Sequence, residues 1–435
     1  MRTLITVFLV ILIFGGSASA DTYIVDPEGT GDFATIQDAI DATTDGDVIE
    51  LTNGTFTGHG NRDIDYLGKA ITVRSQSGNA AACIIDCEGS EISPHRGFYF
   101  HNTEGSGSVL EEVTVTNGYS LFGGAVYCFE ASPQFLGVVF SSNGADLDGG
   151  GIFCVSSTLF LSECSFSGNW AGAEGGAVSG DDSSPAASGC SFVSNSAGTR
   201  GGAIKYEGVT DPTITDCVFT ENWATVHAGA VYITGHTERN AVPTLTDLVF
   251  SGNFCGGTGG ALVVIFGASV LEGCTFYSNH AADNAGAIWC GGSDAVSVVS
   301  NCTLAGNSGG TAGSIYANAH CTMSLENCII AFGTQGVSVY CADESDVTLS
   351  CCDVYGNSGG DWVGCLAWQQ GIAGNIHADP LFCGLESGDL TISCYSPCAP
   401  DHHPDCGLIG AWSVGCGATA VTTKTWGGIK SMFRQ

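Results

Sequence analysis

A repeat of about 26 residues is the feature that most constrains how this chain can fold. An asparagine closes each repeat of a Phe-x-x-Asn type, at Asn143, Asn169, Asn195, Asn222, Asn253, Asn279, Asn307 and Asn357. A glycine follows seven residues after Asn117 and after each asparagine from Asn143 to Asn279. Because one such unit is too small to bury its own apolar face, the pattern predicts coils that stack on one another. The asparagine suits the corner because it tolerates a left-handed backbone, and stacked asparagine amides can bond from coil to coil.

The residues between these corners predict strands. Apolar and small residues alternate with a period of two, as in Cys164-Ser165-Phe166, and the same Cys-x-Phe pair returns in later repeats. A β-propeller would need longer repeats, of about 40 to 50 residues. We therefore predict an all-β chain, namely a single-stranded right-handed parallel β-helix of about 12 coils.

The limits of the repeats divide the chain. The predicted parts are an N-terminal cap with the first coils at 21–70, β-helix repeats at 71–374, and a disulfide-rich C-terminal cap at 375–417. Within the N-terminal cap, Phe33, Ile36 and Ile40 share one helical face, and Asp32 precedes them as the predicted N-cap. We expect this helix to close the open end of the β-helix.

The two ends of the chain predict export. Residues 1–20 combine one Arg, an apolar run and a small-residue ending, which is the pattern of a signal peptide cut before Asp21. No later segment has the apolar length of a transmembrane helix, so we expect a secreted or cell-surface protein. Residues 418–435 carry three basic residues and are either a sorting signal or a frayed tail.

The charge balance excludes several partners. The sequence has 44 acidic and 11 basic residues, for a formal net charge of -33. Such a surface repels phosphate backbones and anionic lipids, so no nucleic-acid partner is expected. Hydrophobic residues make up 44% of the chain, which is enough for a large core. We expect a monomer.

The 22 cysteines fall into two predicted groups. One group lies five residues before the repeat corners and should form an inward ladder of buried thiols: Cys164, Cys190, Cys217, Cys274, Cys302, Cys328 and Cys352. The other should form disulfides in the C-terminal cap, with Cys365 as a partner for the odd member: Cys383, Cys394, Cys398, Cys406 and Cys416. A further clip is predicted between Cys83 and Cys87.

The Phe-x-x-Asn and Gly-Gly-Ala-[Ile/Val/Leu] pairs resemble the repeats of chlamydial polymorphic outer-membrane proteins. The coil length resembles the right-handed parallel β-helix of pectin-lyase-like proteins, and the segment from Asp26 to Ile40 is similar to the opening of pectin methylesterases. The resemblance implies a bacterial β-helix that is exported. The catalytic motifs of pectin methylesterases, polygalacturonases and pectate lyases do not occur in the sequence.

Stacking of the repeats predicts a row of charged side chains on the outside. The fifth residue after each asparagine gives Asp148, Glu174, Arg200 and His227 on four consecutive coils. Two carboxylates beside an Arg and a His can carry out acid/base chemistry on sugars. The alternative is a solvated charge ladder in which Glu174 pairs with Arg200.

Aromatic residues form a second outward pattern. Trp170, Trp223, Tyr232 and Trp289 are the candidates for stacking on sugar rings. The alternative is that they pack on neighbouring coils.

Calcium is a further candidate ligand. Asp146, Asp148, Asp181 and Asp182 lie in acid-rich turns that could supply oxygen ligands. Ordinary surface acids are the alternative, and no cofactor is required.

We therefore predict an exported β-helix protein that acts as a glycan-binding or adhesin-like scaffold without catalysis, with a protein partner as a further option. The alternative is a polysaccharide lyase or glycoside hydrolase that uses the charged row.

Overall fold

Three long parallel sheets wrap around one continuous interior. The computed structural model describes residues 20–208, 211–235, 241–293 and 295–417. The three sheets, here called sheets I, II and III, hold 13, 12 and 18 strands, and a separate three-stranded sheet lies near the C-terminus. Each coil contributes one strand to sheet I. The predicted parallel β-helix is therefore confirmed, with slightly more coils than the about 12 expected.

The strands are short, and their bounds are as follows. Sheet I contains Thr22–Val25, Val48–Leu51, Thr72–Ser75, Val109–Glu111, Gln134–Leu136, Phe160–Ser162, Ala186–Ser188, Thr213–Thr215, Thr244–Thr246, Ala268–Glu272, Val296–Ser300, Thr322–Glu326 and Asp346–Ser350. Sheet II contains Gly54–Phe56, Cys83–Asp86, Thr114–Thr116, Val139–Ser141, Ser165–Ser167, Ser191–Val193, Val218–Thr220, Val249–Ser251, Thr275–Tyr277, Thr303–Ala305, Ile329–Ala331 and Asp353–Tyr355.

Sheet III receives two strands from most coils. It contains Ile64–Asp65, Phe98–Phe100, Tyr119–Phe122, Val126–Phe129, Gly144–Asp148, Ile152–Val155, Trp170–Ala171, Val178–Asp181, Ser196–Ala197, Ile204–Glu207, Trp223–Ala224, Val231–Thr234, Phe254–Cys255, Leu262–Ile265, His280–Ala281, Ile288–Gly291, Ser308–Ala317 and Gln335–Cys341. The C-terminal sheet contains Phe382–Gly384, Asp389–Ser393 and Val414–Cys416. Short 3-10 helices span Ala80–Ala82, Gly364–Leu366 and Leu385–Ser387.

One coil shows the path of the chain. It runs through Phe160–Ser162 in sheet I and Ser165–Ser167 in sheet II, then through Trp170–Ala171 and Val178–Asp181 in sheet III. Each strand pairs in parallel with its equivalent on the next coil. Residues at the same repeat position therefore stack in rows along the helix.

Two rows fill the interior. Phenylalanine rings stack from Phe140 to Phe276 with centroids 4.7–4.9 Å apart. The repeat asparagines from Asn143 to Asn307 are fully buried and linked by their amides. For example, Asn195 Oδ1 accepts bonds from the backbone N–H and the Nδ2 of Asn169 at 3.1 and 3.0 Å. The predicted coil-to-coil bonding of the asparagines is confirmed.

The backbone conformation at these corners differs from the prediction. From Asn143 onward the asparagine is not left-handed. The residue before it is, with φ values of 57° at Ser142, 53° at Ser194 and 54° at Glu221. The asparagine is needed instead because its amide satisfies buried backbone groups. The later glycine is needed because coils approach closely, since a Cβ at Gly150 would clash with the carbonyl oxygen of Trp170.

The N-terminal cap contains the predicted helix, at Ile36–Ala42. Ile36 and Ile40 are fully buried against the first coils, as expected. The N-cap, however, is Thr35, whose side chain accepts a hydrogen bond from the Asp38 N–H. The prediction of Asp32 is wrong because its carboxylate instead accepts a bond from the Ile24 N–H at 2.7 Å.

The cysteines largely follow the prediction. The inward ladder from Cys164 to Cys352 consists of buried free thiols. Disulfides near the C-terminus join Cys341 to Cys365, Cys351 to Cys406 and Cys383 to Cys416. Cys365 therefore pairs with a residue of the last coils rather than of the cap.

Four of the cysteines that were predicted to form disulfides are free. Cys394 and Cys398 are free, since two of the bridges join the cap or its neighbouring loop to the coils. Cys83 and Cys87 form no clip and are both buried thiols. Cys83 lies on a strand and its sulfur faces the carbonyl of Leu51, one coil earlier.

The predicted export signals lie outside the described residues, except that Ala20 is described as an exposed residue. These are the signal peptide at 1–20 and the tail at 418–435. Among the described helices, none is long and apolar enough to cross a membrane.

Candidate functional site

The outer surface of sheet III carries a row of side chains that point away from the interior. The strands place Phe153, Ser179, Lys205, Tyr232 and Val263 in register on consecutive coils. Alternation along each strand makes them outward-facing, because the neighbouring residues fill the core. Lys205 is the cation in this run, and only 3% of its surface is exposed.

The predicted charged row forms beside Lys205. Single parallel β-bridges join Glu174 to Arg200 and Arg200 to His227, each on the next coil. The Asp148 carboxylate accepts a hydrogen bond from the Glu174 N–H at 3.0 Å. The four residues therefore lie on consecutive coils, as the sequence predicted.

Lys205 gathers the carboxylates around it. Its Nζ lies 2.6 Å from Asp181 Oδ1, 3.1 Å from Glu174 Oε2 and 3.1 Å from Glu207 Oε2. Arg200 also pairs with Glu174, at 3.2 Å. We call the set of Asp148, Glu174, Asp181, Arg200, Lys205 and Glu207 the charge cluster. The Glu174 side chain is largely withdrawn from water, so the prediction of a solvated ladder is wrong for Glu174, although its pairing with Arg200 is confirmed.

The protonation states follow from burial and neighbouring charge. Burial alone would lower the pKa of Lys205, but the hydrogen bond to Asp181 and the nearby carboxylates raise it above its ordinary value. Burial, followed by the charge of Glu174, raises the pKa of Asp148 to about 6. Burial, followed by the charge of Arg200, lowers the pKa of His227. Lys205 therefore stays protonated, whereas Asp148 can hold a proton near neutral pH.

This arrangement limits the chemistry of the cluster. A lysine with a raised pKa is a poor general base, and Glu174 is held by two cations. His227 is hydrogen-bonded through Nδ1 to Thr258 Oγ1 at 2.7 Å. Asp148 is the member best suited to act as an acid. Sequence reasoning missed Lys205, although it is a basic residue at a repeat position that holds an aromatic residue in other coils, at Phe153 and Tyr232.

A second outward row lies nearer the asparagine corner and is exposed. Trp170, Ser196, Trp223, Phe254 and His280 follow one another in register. Trp170 and Trp223 are each 40% exposed and Phe254 is 37% exposed. We call Trp170, Trp223 and Phe254 the aromatic row. Two of the four predicted glycan-binding residues therefore lie together on an accessible face.

The other two predicted residues are placed differently. Tyr232 is only 4% exposed, because it packs with Val263 and Trp289 while the Arg200 guanidinium lies 5.3 Å from its ring centroid. Trp289 is partly buried against the same cluster. The prediction that Tyr232 is available for stacking is therefore wrong. It points outward but is covered by its neighbours.

The prediction of acid-rich turns is wrong for three of the four residues, because Asp146 and Asp148 lie on the strand Gly144–Asp148 and Asp181 ends the strand Val178–Asp181. The Asp146 carboxylate accepts a bond from the Tyr119 hydroxyl, and Asp181 belongs to the charge cluster with its lysine. Within residues 20–208, 211–235, 241–293 and 295–417, no group of three or more His, Cys, Asp or Glu residues is arranged to hold a metal ion. Calcium binding by Asp146, Asp148, Asp181 or Asp182 stays a prediction.

Comparison with known proteins agrees with the repeat pattern. The Chlamydia polymorphic membrane protein repeat family matches residues 137–155 and 163–181. No curated protein sequence matches the chain.

Three solved structures are similar to this chain over most of its length. The structure of pectate lyase Pel9A is 14% identical, with a TM-score of 0.44, and the match covers 92% of this chain and 98% of that one. The catalytic unit of a GH87 alpha-1,3-glucanase from Streptomyces thermodiastaticus is 15% identical, with a TM-score of 0.32 and coverage of 84% and 71%. Carrot pectin methylesterase is 10% identical, with a TM-score of 0.27 and coverage of 85% and 92%.

The matched repeats occupy two successive coils. Residues 137–155 include strands of sheets II and III, and residues 163–181 include their stacked equivalents on the next coil. The chain is a parallel β-helix protein that carries repeats of the Chlamydia polymorphic membrane protein type.

Proposed function

We propose that this protein is exported by a bacterium and binds glycans at the cell surface or outside the cell, as a scaffold without catalysis. One observation carries the proposal. Trp170 and Trp223 present exposed rings in register on the same face of sheet III, two coils apart. Flat rings on a fixed face suit stacking on the apolar faces of sugar rings, and exposed apolar patches mark binding sites.

The spacing of the aromatic row supports a polymeric ligand. Coils in a parallel sheet are separated by about 4.8 Å, so the Trp170 and Trp223 backbones lie about 10 Å apart. Phe254 adds a third ring on the next coil. Both sides of each strand are paired, so little entropy is lost when the face binds a ligand. An extended glycan chain running along the helix axis fits this surface.

The charge cluster weighs against turnover. Glu174 and Asp181 are both paired with Lys205, whose raised pKa keeps it protonated. Ion pairs of this kind stabilise the corner of the coil and do not transfer protons to a substrate.

A polysaccharide lyase or hydrolase is the second candidate, favoured by the Asp148 carboxyl, whose pKa of about 6 suits a general acid. Incubation with polysaccharides separates the two functions. Release of unsaturated or reducing ends that Asp148→Asn abolishes would favour the enzyme.

The sequence pattern of the first residues supports the proposed location. Residues 1–20 have the composition expected of a signal peptide, an acidic chain suits an extracellular protein, and the matched repeat family is named for membrane proteins. A monomeric chain without further cofactors is sufficient for this role.

Binding to a glycan array, followed by calorimetry on the best ligand, tests the proposal. Trp223→Ala should weaken binding at least about tenfold, because a central aromatic contact is lost. Phe160→Ala is the matched control, since Phe160 is 41% exposed but lies on sheet I. Its affinity should be unchanged. Absence of binding to every glycan would overturn the proposal.

A further inference from the structure

We infer that a groove at the N-terminal end of the aromatic row is a subsite that selects uncharged glycans over acidic ones, an inference that rests on the proposed function. The groove has a volume of about 410 Å³. We call it the acidic groove. Its lining includes Asp86, Glu88, Tyr119, Ser142 and Trp170.

Trp170 connects the groove to the aromatic row. Tyr119, Gly144 and Trp170 are in register on three consecutive coils. Because Gly144 has no side chain, the indole of Trp170 lies over it, and a Cβ at Gly144 would clash with the ring. The Tyr119 and Trp170 rings are 5.8 Å apart at 52°. The groove therefore has an aromatic wall that continues the row of exposed rings.

Two carboxylates in the lining supply hydrogen-bond acceptors. Asp86 Oδ1 accepts bonds from the Glu88 N–H and Asn117 Nδ2, at 3.0 and 3.1 Å. Glu88 Oε2 accepts bonds from the Gly58 N–H and Arg62, at 3.0 and 2.7 Å. Each carboxylate thus holds its place with one oxygen, and its other oxygen has no hydrogen-bond partner among the residues that the structure describes. Sugar hydroxyls are suitable donors to these oxygens.

The same carboxylates set the ligand class. Asp86, Glu88 and the nearby Asp146 place negative charge at the groove, and Arg62 is already paired with Glu88. A sugar carboxylate would meet like charges there, which is unfavourable, and the net charge of -33 adds long-range repulsion. An uncharged sugar pays no such cost.

Calorimetry on the mature full chain tests the selectivity. The probes are hexasaccharides of glucose, mannose and xylose, with hexagalacturonate as the acidic counterpart. At low salt the best neutral probe should bind at least about tenfold more tightly than hexagalacturonate, and added salt should narrow the difference. Glu88→Gln should also narrow the difference in affinity between the neutral probe and hexagalacturonate.

Variants of the aromatic wall test the position. Gly144→Ala should displace the Trp170 ring and weaken the binding of neutral probes. Trp170→Ala removes the ring and should weaken the same binding without a change at Gly144. Gly105→Ala is the matched control, because a Cβ there meets open space. Thermal melts establish that each variant is folded.

The outcomes separate the two proposals. Equal or tighter binding of hexagalacturonate overturns the inference but leaves glycan binding intact. The same holds if Trp170→Ala binds neutral probes as tightly as Gly105→Ala while Trp223→Ala loses affinity. Absence of binding to any probe or array glycan overturns the proposed function and the inference together.

A separate observation concerns Cys290 and Cys321, and we infer that they form a fourth disulfide in the exported protein. Their sulfurs are 2.8 Å apart, closer than non-bonded sulfur atoms normally approach, and both residues are buried. Cys290 lies on Ile288–Gly291 of sheet III, and Cys321 precedes Thr322–Glu326 of sheet I. The bond would tie two sheets together where the regular repeats end.

The oxidation balances with a disulfide oxidant. Each thiol loses its hydrogen, one S–S bond forms, and the oxidant's disulfide takes up two electrons and two protons to become a dithiol. Cysteines of the ladder such as Cys190 should stay reduced, since parallel coils hold neighbouring Cβ atoms about 4.8 Å apart, too far for a relaxed disulfide.

Peptide mapping of the exported protein tests this bond. The protein is unfolded and alkylated without reduction, and then digested. The expected result is one linked pair of peptides holding Cys290 and Cys321, while the Cys190 peptide is alkylated. In Cys290→Ser, Cys321 should become alkylated. Recovery of both Cys290 and Cys321 as alkylated peptides from unreduced wild-type protein overturns the inference.

Discussion

The aromatic row and the row from Phe153 to Val263 both lie on the outer face of sheet III, yet their side chains meet solvent very differently. Trp170 and Trp223 are 40% exposed, whereas Lys205 and Tyr232 are 3% and 4% exposed. The first row lies near the asparagine corner. The row that holds Lys205 and Tyr232 lies farther along the coil. Residues five and six positions after the asparagine cover it, namely Glu174, Arg200 and Ala228. Outward orientation therefore does not make a residue available to a ligand, and only the first row suits recognition.

The largest expected effect is on stability at the charge cluster. Lys205→Met leaves Glu174, Asp181 and Glu207 without their shared cation and should cost about 3 kcal/mol. Trp223→Ala should cost less than about 1 kcal/mol, because its ring is partly exposed already. Denaturant midpoints compare the two variants. The comparison fails if Trp223→Ala is the more destabilising change.

A smaller effect, which depends on pH, is expected at Asp148. Its pKa is about 6 in the folded chain against an ordinary 3.8, so the charged form costs stability above pH 6 and this cost disappears below about pH 4. Asp148→Asn should therefore stabilise the protein at pH 8 but not at pH 4. The gain should be no more than about 2 kcal/mol, since solvent screens a partly exposed group. A gain that is equal at both pH values would contradict this assignment.

The smallest effect is expected from uncovering Tyr232. Arg200→Ala removes the guanidinium over this ring and one ion pair to Glu174, and should cost about 1 kcal/mol. Thermal unfolding measures the cost. If glycan affinity also rises because Tyr232 becomes accessible, coverage by Arg200 is what separates the two rows. A cost as large as that of Lys205→Met would instead make Arg200 a main support of the corner.

The repeat pattern was sufficient to predict the coils. Asparagine and glycine at fixed positions specify the corners, and alternation specifies which side chains face outward, so Trp170, Trp223 and the charged row could be placed in advance. These features depend on local periodicity. The same periodicity stacks Glu174 beside Arg200 on the next coil.

Burial on the outer surface could not be predicted in this way. Whether Tyr232 is exposed depends on Arg200 and Trp289, which belong to other repeat positions. Lys205 binds Glu174 from the preceding coil and Glu207 from its own strand. The Cys341–Cys365 bridge likewise depends on where the last coil meets the following loop. Such contacts arise from packing between positions rather than from the period.

The most direct test of the account is calorimetric titration of the best array glycan into the wild-type protein and into the Trp170→Ala, Trp223→Ala double variant. The account predicts that the double variant keeps the thermal stability of the wild type to within a few degrees and loses detectable binding. Unchanged affinity in a folded double variant would contradict the claim that the exposed aromatic row is the glycan-binding surface.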